Sequence, residues 1–165
     1  MVNLVRITKR ADRRHRLTVV RNDGSVSQGK VVPGLGPDAI PHDVLHALVE
    51  KKLGFERGVF GMIGTGLEIA ELLDPAREET NKSERELMLS EVITTVLQGE
   101  AAYVGLGEHT FADRLRDRCN EHGLAVPTIS NDELRDLRAL RDDYHRRWQT
   151  LADGETIEVE LPRRA

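Results

Sequence analysis

Thr156-Ile-Glu-Val-Glu-Leu161, close to the end of the chain, alternates polar and apolar residues one by one. A period of two places one face of a strand on a core and the other in water. A single strand is not stable alone, so its partners must come from elsewhere in the chain. They stand at the opposite end. Val5 and Ile7 alternate with polar neighbours, and Leu17 and Val19 repeat the pattern beyond a basic stretch at residues 9–16. Asn22-Asp23-Gly24-Ser25 then supplies hairpin chemistry ahead of a short third strand near residues 26–31.

Between these strands the period changes. Pro33-Gly34-Leu35-Gly36-Pro37 sustains neither regular structure and delivers the chain to Pro41, which suits the first turn of a helix. Val44, Leu45, Leu48, Val49 and Leu53 then form one apolar stripe, with Gly54 as a stop. A glycine-studded piece at residues 58–66 runs into a short helix at 67–73. Ser83-Glu-Arg-Glu86 reads as a capping box for a helix that buries Leu89, Val92, Ile93, Val96 and Leu97. Thr110 caps the next helix, with Phe111, Leu115 and Cys119 inward. Ser130-Asn-Asp-Glu133 opens a long one carrying Leu137, Tyr144 and Trp148. The expectation is a single α+β domain over residues 1–165. A small, mainly antiparallel sheet, made of the N-terminal hairpin plus the C-terminal strand, packs against a layer of about four to five helices.

Composition narrows the class. Of 165 residues, 39% are apolar and 32% charged, a balance that fits a soluble globular domain large enough to bury its own core. No apolar run approaches the roughly 20 residues of a membrane span, and charged residues follow directly after Leu4, so no leader is read and the expected location is cytoplasmic. The single cysteine, Cys119, excludes an internal disulfide and a cysteine-based zinc or redox pair. The formal charge of −4 hides a polarity: residues 1–33 carry eight Lys and Arg against two Asp, leaving −10 for the remainder. Such polarity can join subunits into a homo-oligomer. Nucleic acid is a poor partner, because the basic stretch lacks stacking aromatics and the chain as a whole is acidic.

The chemistry concentrates in Pro41-His42-Asp43-Val44-Leu45-His46-Ala47-Leu48-Val49-Glu50. On a helix, His42, His46 and Glu50 follow one another at one-turn intervals along a single flank. Two imidazoles at that spacing bind one divalent ion such as zinc in the H-E-x-x-H helix of zinc hydrolases. Here the pattern is H-D-x-x-H, with Asp43 where the catalytic Glu would stand. Asp43 is the candidate general base, but it is one methylene short and equally suited to orienting a histidine. Glu50 is the candidate third ligand, with Glu68, Glu71 and His109 as outside alternatives. The purely structural reading is that His and Asp in a first turn satisfy free backbone N–H groups and the helix dipole. The glycines at 58, 61, 64 and 66 do not follow a phosphate-binding order and read as close packing.

The segment from Ile40 to Glu50, followed by Leu53-Gly54 and Gly58-Val-Phe-Gly61, resembles a pattern in small bacterial hypothetical proteins without an assigned activity. The resemblance extends to the Trp148 helix and the closing strand. It implies that this stretch is one unit, and it assigns no catalytic role. Two functional expectations result. One is a metal-dependent hydrolase with its ion on His42, His46 and Glu50. The other is a non-enzymatic binding or assembly module that uses the basic hairpin and the acidic helices.

Overall fold

The computed structural model describes residues 2–36, 39–102 and 110–162. Strands β1 (Val2–Arg10), β2 (Arg14–Val20), β3 (Val26–Pro33) and β4 (Thr156–Pro162) form one antiparallel sheet in the order β3-β2-β1-β4. The closing strand therefore pairs with the first one. Ile7 stands between Leu17 and Ile157, and Val5 between Val19 and Val159. Because the side-chain period is two, this register puts all six on the same face, where each is at most 8% exposed. The turn between β1 and β2 is tight: Asp12 and Arg13 both take left-handed backbone, φ 60° and 61°.

Seven α-helices follow among the described residues: α1 (His42–Leu53), α2 (Val59–Gly64), α3 (Ile69–Leu72), α4 (Glu78–Ser83), α5 (Arg85–Ala102), α6 (Phe111–Glu121) and α7 (Asn131–Thr150). The number exceeds the expected four to five because α2, α3 and α4 are only four to six residues long. They subdivide a stretch rich in glycine and punctuated by Pro75. Capping boxes start α6 and α7 as read from sequence, Thr110 with Asp113 and Ser130 with Glu133. The box expected at Ser83 does not form. That hydroxyl donates to the Thr80 carbonyl, and the Glu86 carboxylate instead accepts the N–H groups of Glu56 and Arg57.

The placement of α1 governs everything that follows. Every residue from Val44 to Glu50 is buried, because the helix lies between the sheet and α5. Val44, Leu45 and Leu48 join a core with Val5, Ile7, Phe60, Ile63 and Trp148. Val49 belongs to a second core with Leu89, Val92, Ile93, Phe111 and Leu115. Truncating Leu45, 1% exposed, to Ala would cost about 2–5 kcal/mol, the usual range for a well-packed leucine. Gly54 ends α1 in the left-handed conformation, φ 70°, which costs glycine nothing. Among the described residues no helix is long and apolar enough to cross a membrane.

Candidate metal centre

One flank of α1 is polar and faces α5. The facing side of α5 is polar as well: Ser90, Glu91, Thr94, Thr95 and Gln98 interrupt an otherwise apolar helix. Where the two stripes meet, His42, His46 and Glu91 bring a ligand atom each to within 4.8 Å of one another. They are the one such trio of His, Cys, Asp or Glu among the described residues. The Glu91 carboxylate lies 2.8 Å from His46 Nε2 and 3.3 Å from His42 Nε2. The rings stand edge to face, centroids 4.7 Å apart. The His46 side chain is 4% exposed, that of His42 31% and that of Glu91 51%, so the group is shut on the protein side and open to water on the other.

The opposite nitrogen of each ring is held as a donor. Gln98 gives its amide N–H to the Ile40 carbonyl, which turns its Oε1 to His42 Nδ1 at 2.5 Å. Ser90 gives its one hydroxyl proton to Glu50 at 2.9 Å, so its oxygen accepts from His46 Nδ1 at 2.8 Å. With both Nδ1 atoms committed in this way, each Nε2 of a neutral ring presents a lone pair to the Glu91 carboxylate. Three acceptors then converge, and a positive charge must lie among them: a ring proton or a metal ion.

The charge states fit that demand. The two histidines that hydrogen-bond Glu91, His42 first, outweigh its burial and hold its carboxyl far below the usual carboxylate range. Burial on its own would lower the His42 pKa. Hydrogen bonds to Glu91 and Gln98, with the charges of Glu91 and Asp43, overcome it and leave the imidazole above its ordinary value.

The remaining residues named from sequence lie elsewhere. Glu50, the candidate third ligand from sequence, is 2% exposed and does not belong to the trio. Its oxygens accept the N–H groups of Val59 at 2.7 Å and Phe60 at 2.9 Å, with Gly61 at 3.4 Å and the Ser90 hydroxyl. Burial pushes its pKa up, opposed by the His46 charge and by these donors. Asp43 points to His15 on β2, its carboxylate 3.5 Å from His15 Nε2. Glu68 binds Arg21 and Ser27, and Glu71 closes the first turn of α3. His109 lies outside the described residues. Glu91 is the member of this cluster that the sequence alone did not point to. Its signal is the polar stripe on α5, which matches the histidine stripe of α1 only once the two helices are known to pack.

Part of the basic N-terminal segment is engaged internally. Arg6 pairs with Glu158, Lys9 caps the end of α7 through the Trp148 and Leu151 carbonyls, and Arg21 donates to the Ile63 and Leu67 carbonyls. The chain matches no protein-family model, no curated protein and no solved structure. Its geometry therefore carries the functional reading.

Proposed function

We propose that the protein binds one divalent metal ion of the zinc class through His42 Nε2, His46 Nε2 and the Glu91 carboxylate, and acts as a metal-dependent hydrolase. The observation that carries this reading is the fixed orientation of the two rings. Each has its Nδ1 tied to an acceptor of the protein, so both lone pairs turn toward one carboxylate. Tetrahedral zinc with bonds of about 2.0–2.1 Å spaces its ligand atoms about 3.3 Å apart. His42 Nε2 and Glu91 Oε2, the oxygen that also meets His46, already stand at 3.4 Å. His46 Nε2 and Glu91, at 2.8 Å, open by about half an ångström as an ion replaces the bridging proton.

Two histidines and one carboxylate leave a coordination position on the solvent side. An ion held by these three residues would supply Lewis acidity at that position, the chemistry a hydrolase needs to activate water. The role first assigned to Asp43 falls away in this reading. Its carboxylate serves His15, and water is activated by the ion itself.

The test uses protein purified without a histidine tag, loaded with zinc and desalted. The expected result is one zinc per chain in wild type and none in His46→Ala, with hydrolysis of activated ester or phosphoester substrates that disappears in that variant and on chelation. Equal zinc in both proteins would sink the site. Stoichiometric zinc without turnover would sink the hydrolase and leave a metal-binding protein.

A further inference from the structure

Glu50 and Ser90 are buried, polar and not ligands. Glu50 is 2% exposed, Ser90 0% and His46 3%, so no water competes for the bonds that join them. The bonds run in one direction. The Ser90 proton goes to Glu50 Oε1, which leaves the hydroxyl oxygen free to accept only from His46 Nδ1. Glu50 is fixed in turn by the backbone N–H groups of Val59, Phe60 and Gly61. The turn before α2 is shaped around that carboxylate: a Cβ on Gly58 would collide with its carboxyl atoms. A carboxylate anchored by backbone thus dictates, through one hydroxyl, which nitrogen of His46 carries a proton.

We infer that Ser90 and Glu50 are positioning residues of the metal centre, holding His46 in its Nδ1–H tautomer so that the Nε2 lone pair is always offered to the ion. The inference rests on the metal reading proposed above and deepens it. Metal-bound histidines commonly donate their second N–H to a carboxylate or carbonyl, which fixes the ring and raises its basicity as a ligand. Here Ser90 extends that arrangement by one bond. Glu50 lies one turn beyond His46 on α1 and Ser90 lies on α5, so ring orientation is set jointly by the two helices that build the centre. His42 receives the same service from Gln98, whose amide is oriented by the Ile40 carbonyl.

Ser90→Ala is the direct test, read out in two ways. Proton–nitrogen correlation spectra of the metal-free protein, taken above the imidazole titration range, report the His46 tautomer. Competition with a chromogenic chelator reports zinc affinity. The expected result is Nδ1–H in wild type, a shift toward Nε2–H in Ser90→Ala, and zinc affinity lower by about 10- to 100-fold, as outer-shell changes give. A group that only packed α1 against α5 would alter the melting temperature and leave the tautomer unchanged. Glu50→Gln is the second variant should Ser90→Ala fail to fold; it retains the size of the side chain and is expected to weaken zinc in the same direction. Unchanged tautomer and unchanged affinity in a folded variant overturn the relay while the metal reading stands. Failure of wild type to take up zinc overturns the metal reading itself, and the relay with it.

Discussion

His46 and His15 are both deeply buried, 3% and 5% exposed, and each has a carboxylate near its Nε2. Their second nitrogens differ. His46 Nδ1 donates to Ser90 at 2.8 Å, and its Nε2 converges with a second histidine on Glu91. Among the described residues His15 Nδ1 has no hydrogen-bond partner, its Nε2 is 3.5 Å from Asp43, and its ring packs edge-on to Trp148, centroids 6.3 Å apart. A histidine beside a carboxylate is therefore no sign of a site by itself. What distinguishes His46 is an Nδ1 engaged by Ser90 together with a second imidazole aimed at the same carboxylate. His15 meets its carboxylate without a second imidazole beside it, and serves as an internal control in the same molecule.

The largest expected difference between the two is in metal affinity. His42→Ala or His46→Ala removes a ligand and should weaken zinc by more than the about 100-fold reached by outer-shell changes. His15→Ala should leave zinc affinity as it is. Chelator competition on the three variants makes the comparison, and a His15→Ala protein as impaired as His46→Ala would remove the distinction.

The next difference is in the stability of the metal-free fold. His46→Leu strips the donor from Ser90 and the partner from Glu91, at a cost of about 1–3 kcal/mol. His15→Leu removes a buried Nδ1 without a partner among the described residues together with one 3.5 Å contact to Asp43, so its cost should be smaller, at most about 1 kcal/mol. Denaturant midpoints at equal slope give both values. Similar losses at the two positions would mean that hydrogen bonding at His46 contributes nothing specific.

The smallest effect is a pH dependence of the His42–Glu91 pair. The folded-state pKa of His42 is raised, so its contribution to metal-free stability is full below its ordinary value of 6.5 and is lost as pH rises through the raised value. That of Glu91 is lowered, so its contribution is full above 4.5 and is lost as pH falls through the lowered value. The advantage of wild type over Glu91→Gln in thermal melts should thus peak between pH 4.5 and 6.5 and shrink on either side. A constant difference across this range would show that the bridge does not titrate as described.

The sequence carried the α+β architecture because period-two and helical stripes are local signals, and the closing strand had only the N-terminal strands to join; that it joins at the β1 edge and not at β3 was not legible. His42 and His46 were legible for the same reason, since residues one turn apart share a flank whatever surrounds them. Glu91 was not legible. It lies on a different helix, and only the packing of α1 on α5 brings it to the histidines. The same contact misled the reading of Glu50. Helical geometry places it on the correct flank, but α5 covers that flank, and the turn after Gly54 folds back to present three N–H groups to its carboxylate. Asp43 was drawn away by His15, a residue from a strand distant in sequence. Each misplacement comes from a long-range contact that no local pattern encodes.

Anomalous diffraction at the zinc absorption edge, from crystals of untagged protein grown with zinc, tests the central claim most directly. The account predicts one strong peak bonded to His42 Nε2, His46 Nε2 and a Glu91 oxygen, with Nδ1 of His46 still on Ser90. A peak ligated elsewhere, or none in protein whose two rings remain on Glu91, would contradict it.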